Sequence, residues 1–415
     1  MHLQGRRRLK RQNTVEPPRS IIVAGAGIAG LTTSLILARQ GRPVTLLERF
    51  DEPTEVGAGL QLSPNASRIL FRLGLEKQLR EQSHQPDAIR LVAAPSVKAI
   101  TELPLGAMAE KRWGAPYLTI HRARLHSILW NAVKNEPQIS IETSRAVVDA
   151  SCDAVGARAV IDGPSGEEER WGHLIVGADG VRSVIRMRMR GGLPPRFTGE
   201  IAFRALLRGE DALAKASRFG IDTRCVSAFL APSVHLVAYP LGEGQGVNLV
   251  ANIAGEDPGP GWSEELSSDV ARKAISRIAP GLGKLAGETE WLAWGLHAVP
   301  PRTAFIDPGG IALVGDAAHA MTPFAAQGAA MAIEDAAVLA RCLQTWRDDR
   351  RAALLQYEAE RRPRIARARR RGAFNHFVWH ARFPVSLGRN MVLRTRSGES
   401  LLNDLDWLYG YDAGR

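Results

Sequence analysis

The chain has 415 residues, of which 45% are hydrophobic, enough for two domains with sizeable cores, and this excludes a globally disordered protein. Its three cysteines are an odd number, which argues against a disulfide framework, and they form no CxxC pair or other zinc-ligand spacing. The net charge of +11 is concentrated in residues 1–19 and in the arginine-rich residues 341–372, so no fold-wide surface for nucleic acid is expected.

The first 19 residues carry six basic residues against one acid and are interpreted as a disordered basic arm. The segment GRRRLKRQ is similar to a twin-arginine export signal, but Glu16-Pro17-Pro18 interrupts the approach to the apolar run that follows. No segment is long and apolar enough to span a bilayer. We therefore expect a cytoplasmic protein without stable membrane insertion.

From Ser20 onward the pattern predicts a strand (IIVAGAG), a helix (LTTSLILARQ) that ends at Gly41, and a second strand (PVTLLE). Gly25, Gly27 and Gly30 give GxGxxG spacing directly after the first strand. Glycines at these positions allow a tight turn, close backbone approach to a pyrophosphate and tight packing of helix on strand. The helix N-terminus offers free N–H groups to the phosphates.

Glu48 ends the second strand, where a carboxylate can accept hydrogen bonds from both ribose hydroxyls of an adenosine and would repel a 2′-phosphate. The sequence therefore predicts a dinucleotide site that includes Gly25, Gly27, Ala29, Gly30 and Glu48 and does not hold NADP. The loop alone does not separate FAD from NAD.

The remaining elements follow in order along the chain. Residues 62–82 are predicted as helical, residues 88–120 as short strand pieces, and HRARLHSILWNAVKN as a second helix. Alternating strands lead to HLIVGADG, and residues 195–300 predict an antiparallel sheet with a helix near residues 264–278. Helices fill the rest. The pattern predicts an α/β, doubly wound, Rossmann-like domain with an inserted β-sheet domain and C-terminal helices.

Two distant motifs accompany the glycine loop. HLIVGADGVRSVIR carries Asp179-Gly180 after a strand, and LVGDAAHAMTPFAAQGAAMAIEDAAVLA carries Gly315-Asp316. Together the three motifs resemble the fingerprints of single-component FAD-dependent aromatic hydroxylases, the flavoprotein monooxygenases related to salicylate and para-hydroxybenzoate hydroxylases. The segments GAGLQLSPNASRILFRLGL, IHRARLHSIL, HLVAYPLGEGQGVNLVANI and WLYGYD also resemble that family, so the likeness extends from about residue 20 to the C-terminus.

The resemblance implies that FAD is held at both ends. Asp316 would accept hydrogen bonds from the ribityl hydroxyls, the small residues behind it would let backbone lie against the flavin, and the next helix would direct its N-terminus at the pyrimidine edge. Gln327 and Gly328 would contact the ring. Many members have GQG-Ala-Asn at this point, whereas this chain has AQGAA, so one flavin-facing amide is missing.

The implied domains are an FAD-binding domain (residues 20–86, 117–188 and 301–345), a substrate domain (87–116 and 189–300) and a C-terminal helical region (346–415). The implied cofactor contacts are Glu48 and Arg49 at the adenosine, Val56 and Gly57 beside the cofactor, Arg122 near its phosphate or ribityl side, Val147 at the adenine, and Asp179 near both FAD and the nicotinamide. A surface ion pair for Arg122 and an ordinary core position for Val147 stay open as alternatives.

No second GxGxxG follows a predicted strand, so NAD(P)H is expected as a transient co-substrate. By resemblance, the flavin reduced by NAD(P)H would react with O₂ to give a C4a-hydroperoxide, which hydroxylates a small aromatic. A hydroxylated aromatic acid is the expected substrate. The alternatives are an FAD-dependent epoxidase, a hydroxylase of a polycyclic natural product, or a flavin-free regulatory protein on the same scaffold. The substrate's identity, the choice between NADH and NADPH and the oligomeric state stay open.

Three residues of the inserted sheet are candidate catalytic residues. His235 is the candidate base for a phenolic hydroxyl, with a core or solvent-facing histidine as the alternative. Tyr239 could orient the same ring. Arg204 could pair with a substrate carboxylate, brace the flavin or form a structural ion pair.

Three other charged groups are given no catalytic role. His376 and His380 have helical i, i+4 spacing, but no third ligand is evident, so no metal is expected. Glu334-Asp335 is interpreted as compensation of a helix dipole. The arginine-rich segment after it is interpreted as a solvated helix face.

Overall fold

A computed structural model describes residues 20–52, 59–153, 156–242, 244–259 and 268–414. The basic arm of residues 1–19 lies outside these ranges. The strands, numbered in chain order, are β1 (Ile21–Ala24), β2 (Val44–Leu47), β3 (Gly59–Leu62), β4 (Ala88–Ala93), β5 (Lys98–Pro104), β6 (Leu118–His121), β7 (Ile139–Glu142), β8 (Ala146–Cys152), β9 (Ala157–Gly163), β10 (Gly166–Gly172), β11 (Leu174–Gly177), β12 (Arg196–Leu207), β13 (Val226–Ala231), β14 (Val234–Pro240), β15 (Val247–Ala254), β16 (Leu292–Ala298), β17 (Ile306–Asp307) and β18 (Ile311–Leu313).

The helices between and after these strands are numbered in the same way, and a short 3-10 helix (Pro323–Ala325) precedes α11. They are α1 (Ile28–Arg39), α2 (Pro64–Arg72), α3 (Glu76–Gln82), α4 (Gly106–Trp113), α5 (Arg122–Lys134), α6 (Val184–Arg188), α7 (Ala212–Arg218), α8 (Ser268–Ile278), α9 (Pro280–Gly287), α10 (Asp316–His319), α11 (Gly328–Thr345), α12 (Arg350–Trp379), α13 (Val385–Thr395), α14 (Gly398–Asn403) and α15 (Asp406–Tyr409).

A six-stranded sheet in the order β17-β18-β11-β1-β2-β7 forms the core of the first fold unit. Five of these strands pair in parallel, and β17 is an antiparallel edge strand. All four residues of β1 are buried, as expected for a parallel strand covered on both faces. Helices α5 and α11 pack against α1. This is the doubly wound α/β architecture that the sequence predicts.

A seven-stranded sheet in the order β16-β12-β15-β14-β13-β4-β5 forms the inserted unit. One face packs on α8 and α9 in a separate apolar core built from alternate residues of β12, β14 and β15. Because side chains alternate along a strand, the residues in between point to the opposite face. We call this the polar sheet face, and its polar members are Glu200, Arg204, His235, Tyr239, Asn248 and Asn252.

The predicted architecture, a doubly wound α/β domain with an inserted sheet and C-terminal helices, is confirmed. The precise domain boundaries stay a prediction. The single helical stretch expected over residues 62–82 is two helices, α2 and α3, because Gly74 adopts a left-handed conformation between them (φ 66°). No helix among the described residues combines the length and the apolar character that a membrane span needs.

Candidate cofactor and substrate site

The three motifs and Glu48 meet at one edge of the parallel sheet. Gly25 follows β1, Glu48 follows β2, Asp179 lies two residues beyond β11, and Asp316 lies three residues beyond β18. These four strands are neighbours in the order β18-β11-β1-β2 and run parallel, so their carboxyl ends meet at the same edge. Segments separated by almost 300 residues thereby form one cleft.

The glycine loop has no room for side chains. Gly25 has φ 103°, and a Cβ on it would lie 2.6 Å from the carbonyl oxygen of Ala178. A Cβ on Gly30 would lie 1.9 Å from the carbonyl oxygen of Gly25. Gly27 is the N-cap of α1, and no side chain caps the helix there. The first N–H groups of α1 thus stay available for a phosphate, as the sequence predicts.

Glu48 supports the glycine loop from inside the protein. Its side chain is buried, its Oε2 accepts a hydrogen bond from the Ala26 N–H at 2.7 Å, and its Oε1 accepts one from the Phe50 N–H at 3.0 Å. His126 of α5 contacts the Ala26 carbonyl oxygen from the other side at 2.8 Å. The spacing of the residues in the sequence does not predict either of these contacts. Each carboxylate oxygen keeps a second lone pair for a ribose hydroxyl.

The turn at Gly315-Asp316, which we call the Gly315-Asp316 corner, packs directly against the glycine-loop motif. Gly315 has φ 60°, and a Cβ on it would lie 3.0 Å from that of Ala332 and 3.1 Å from that of Ala29. Its N–H donates to Oδ2 of Asp335 at 2.8 Å. Ala29 is therefore a spacer between the two motifs. The Asp316 side chain is exposed at the edge of the cleft, where it can accept hydrogen bonds.

The loop before α11 presents backbone groups to the cleft rather than side chains. Gln327 is buried, and its Nε2 donates to Oγ of Ser63 at 3.0 Å. Ser63 is the N-cap of α2, so this amide connects the loop to α2. Gly328 begins α11, is exposed and has no side-chain cap before it. Ala326 adopts a left-handed conformation (φ 51°) just after the 3-10 helix. The N-terminus of α11 thus presents backbone N–H groups to the cleft.

The other residues that the sequence predicts to contact the cofactor differ in burial and in location. Arg49 is exposed, with its guanidinium 4.5 Å from the centre of the Phe50 ring. Arg122 is the first residue of α5. Val147 lies on β8 and packs on the main core. Asp179 accepts a hydrogen bond from the Ile185 N–H at 3.2 Å, and burial raises the pKa of its carboxyl. Val56 and Gly57 lie outside the described residues.

Arg204 is the residue of the polar sheet face that lies near Asp316 at the edge of the cleft. Its guanidinium lies 5.1 Å from the centre of the Trp294 ring, and its buried Nε has no hydrogen-bond partner among the described residues. Burial lowers the pKa of Arg204, Arg122 lowers it further, and Tyr239 and Asp316 raise it in part. A desolvated guanidinium with a free N–H suits an anionic group placed between the sheet and the cleft.

Both ring nitrogens of His235 are hydrogen-bonded to other side chains of the protein. Its Nδ1 lies 2.9 Å from Nε2 of His380, and its Nε2 lies 2.9 Å from Nδ2 of Asn252. Since an amide Nδ2 only donates, the assigned geometry makes Nε2 the acceptor and leaves the hydrogen on Nδ1. Burial, with His380 and His376 adding to it, lowers the pKa of His235 well below its usual value. The role of His235 as a base stays a prediction.

Tyr239 shares the face of β14 with His235 but lies four residues along it, about 13 Å away at the usual rise per residue. Burial raises the pKa of its hydroxyl, and a Cβ on Gly59 would lie 2.8 Å from its Cε2. Tyr239 therefore sits at the β3 end of the polar sheet face, and His235 lies near Phe324, with ring centres 5.3 Å apart.

A buried ionic network behind the cleft contradicts two sequence interpretations. Arg361 binds Glu334 at 2.8 Å and Asp335 at 2.7 Å, and Arg364 binds Glu334 at 2.7 Å. Asp335 also holds His319 at 2.6 Å. Glu334 and Asp335 thus pair with arginines and do not merely compensate a helix dipole. The arginine-rich segment is likewise not a solvated face at these two positions, since both arginines are buried.

The family follows from a comparison of the whole chain. A family model described as FAD binding domain matches residues 19–372. The chain belongs to this family. It is similar to a 3-hydroxybenzoate 6-hydroxylase from Klebsiella oxytoca, at 32% identity over 396 residues that cover 94% of this chain and 96% of the relative. It is also 32% identical over 397 residues to a 6-hydroxynicotinate 3-monooxygenase from Pseudomonas fluorescens, with 94% of each chain covered.

Solved structures show the same fold. Klebsiella pneumoniae HpxO complexed with FAD and uric acid matches with a TM-score of 0.79 at 24% identity, over 94% of this chain and 96% of that one. A salicylate hydroxylase substrate complex matches with a TM-score of 0.77 at 22% identity, over 96% and 97%. The predicted membership among FAD-dependent aromatic hydroxylases is confirmed. The chain is an FAD-dependent monooxygenase.

Proposed function

We propose that this enzyme uses NAD(P)H and O₂ to hydroxylate a small hydroxylated aromatic acid. The observation that carries the proposal is the position of Arg204 on the polar sheet face, with an unpaired buried Nε and close enough to Asp316 to feel its charge. The relatives named above are hydroxylases of aromatic acids, which supports the same substrate class. FAD, when bound, supplies the redox and oxygen chemistry, and the residues of this chain hold and orient the reactants.

In this proposal the glycine loop and the first N–H groups of α1 hold the pyrophosphate, and Glu48 accepts the ribose hydroxyls. Asp316 accepts the ribityl hydroxyls, and the backbone around Gly328 borders the ring. The chain fits such a cofactor because Gly25, Gly30 and Gly315 leave spaces that a single Cβ would fill. An extended molecule held at both ends stays fixed against the polar sheet face.

Arg204 binds the carboxylate of the substrate, because a guanidinium offers paired N–H donors to two oxygens. Tyr239 contacts the edge of the ring. His235 faces the ring hydroxyl, which reaches Nε2 by taking the place of the Asn252 amide. Phe324 covers this end of the site and keeps water away from the reacting carbon.

The nicotinamide binds transiently and near Asp179. Residues 281–287, which carry the sequence GLGKLAG, lie within helix α9 and do not form a strand-to-helix phosphate loop.

Stopped-flow reduction of the FAD-loaded enzyme tests the proposal. Each of a series of benzoates, pyridine carboxylates and their uncharged analogues is mixed with NADH or with NADPH, and flavin reduction and oxygenated product are followed. We expect hydroxylated aromatic acids to accelerate reduction and to yield product. In Arg204→Gln the apparent affinity for acids should fall at least about tenfold, the loss expected for a charged hydrogen bond, with little change for uncharged analogues.

Two results would contradict the proposal. One is acceleration by uncharged polycyclic compounds but by no aromatic acid, which would favour the natural-product alternative. The other is the same loss of affinity for acids and for uncharged analogues in Arg204→Gln.

A further inference from the structure

A cluster of donor side chains lies at the far end of the polar sheet face, apart from the glycine loop. His376 lies in the last turn of α12 and His380 is the residue that caps its C-terminus, four residues on and therefore on the same side. Glu200 of β12 comes from the sheet to meet them, and its Oε1 lies 2.7 Å from Nε2 of His376. One ligand atom from each of these three residues lies within 4.8 Å of the other two.

The donor set has the chemistry of a transition-metal site. Two imidazole nitrogens and one carboxylate oxygen bind Zn²⁺ and Co²⁺ in proteins, and three protein ligands leave a further position for water. Ca²⁺ and Mg²⁺ prefer sites made of oxygen alone. The sequence predicted no metal because no third ligand was evident, and the fold supplies that ligand from 176 residues away.

An independent feature of Glu200 also points to a ligand. Its second carboxylate oxygen, Oε2, is buried and has no hydrogen-bond partner among the described residues. The contact with His376 uses Oε1 only, so it does not satisfy Oε2. An unpaired buried carboxylate oxygen costs free energy, and a bound cation would remove that cost.

We propose that Glu200, His376 and His380 bind one divalent cation of the Zn²⁺ type. The site lies beside Phe324 and His235, since the rings of Phe324 and His376 are 4.6 Å apart and His380 contacts His235. It is separate from the cofactor cleft and does not depend on the identity of the aromatic substrate. The rings of His376 and His380 are perpendicular with centres 4.5 Å apart, so small rotations bring both nitrogens onto one ion.

Equilibrium dialysis of the FAD-loaded enzyme against Zn²⁺, after treatment with a chelator, tests the site. We expect about one ion per chain, and we expect Co²⁺ in its place to give the visible absorption of a low-coordinate site. Glu200→Gln and His376→Ala should each weaken binding at least about tenfold. The matched control is His297→Ala, which removes a histidine paired with Asp257 at 3.0 Å on the same sheet and should bind Zn²⁺ like the parent.

FAD content and thermal unfolding show whether each variant is folded. Glu200→Gln keeps the size of the side chain, so it decides the question if His376→Ala fails to fold. No saturable Zn²⁺ binding by the parent would overturn the proposal. So would equal affinity in the parent, Glu200→Gln and a folded His376→Ala, because the bound ion would then sit elsewhere.

Discussion

Single glycines set how closely the cofactor motifs approach their neighbours. Gly25→Ala adds both a disfavoured φ of 103° and a contact 2.6 Å from the Ala178 carbonyl oxygen. We expect it to lower the free energy of unfolding by about 1–3 kcal/mol and to weaken FAD binding. Gly41→Ala is the control, since Gly41 also has a positive φ (76°) but nothing lies near its Cβ position.

Urea unfolding of the apoprotein and FAD titration measure both effects. Gly41→Ala should lose about 1 kcal/mol from the backbone alone and bind FAD normally. Equal FAD affinity in the two variants would show that the close approach at Gly25 does not shape the cofactor site.

His235 tests the chemistry proposed for the polar sheet face. Because it lies on this face near Phe324, away from the glycine loop, His235→Ala should suppress hydroxylation more than flavin reduction. Single-turnover experiments with product analysis separate the two steps. Equal loss of both, or no loss, would remove His235 from contact with the substrate.

Arg361 is the residue that contacts both acids of the buried ionic network, Glu334 and Asp335. Arg361→Met leaves Glu334 and Asp335 buried with fewer partners, and we expect a loss of about 3–5 kcal/mol in the free energy of unfolding. Arg158→Met, which removes a solvent-exposed pair with Glu169, should lower the free energy of unfolding far less, because solvent screens an exposed ion pair. Urea unfolding of both variants at pH 7 checks the difference, and similar losses would contradict this account of the network.

The same network predicts a response to acid. Burial alone would raise the pKa of Asp335, but His319 and Arg361 outweigh it, and the pKa lies below its usual value. A lowered carboxyl pKa stabilises the protein above the unfolded value of about 3.9, and this contribution is lost as pH falls through the folded value. Acid unfolding of Arg361→Met should therefore begin at a higher pH than in the parent. An unchanged midpoint would contradict the assignment.

At the scale of elements, α1 and α11 close on the Gly315 corner from two sides. Ala332→Leu would push α11 away from Gly315, where even a Cβ on the glycine would lie 3.0 Å from Ala332. We expect a loss of about 1–3 kcal/mol and weaker FAD binding. Thr345→Leu, in the exposed last turn of α11, should change neither quantity, and FAD titration compares the two. Normal FAD affinity in Ala332→Leu would contradict this role of α11.

The local sequence pattern predicted the strands and helices that are proposed to bind the cofactor. The strand, glycine loop and helix from Ser20 to Gln40 are visible in sequence because hydrophobic period and turn chemistry agree there. The partners of Glu334 and of His376 were not predictable, because they come from α12 and from β12, distant in sequence. Charge alone does not say whether an arginine faces solvent or a buried acid, and only the packing of α12 on α11 decides it.

For the whole molecule, the order β18-β11-β1-β2 explains how distant motifs form one site. The glycine loop and the Gly315-Asp316 corner are almost 300 residues apart, yet their strands are separated by β11 alone. The inserted seven-stranded sheet then places Arg204, Tyr239 and His235 on a face of their own. In the proposed arrangement, cofactor binding depends on the assembled parallel sheet, and substrate binding depends on how the inserted sheet packs over it.

A crystal structure of the enzyme with FAD bound tests this account most directly. The account predicts the pyrophosphate at Gly25–Gly30, the ribityl hydroxyls at Asp316, and the isoalloxazine between residues 322–328 and Arg204. An isoalloxazine ring outside the reach of residues 315–330 would contradict it.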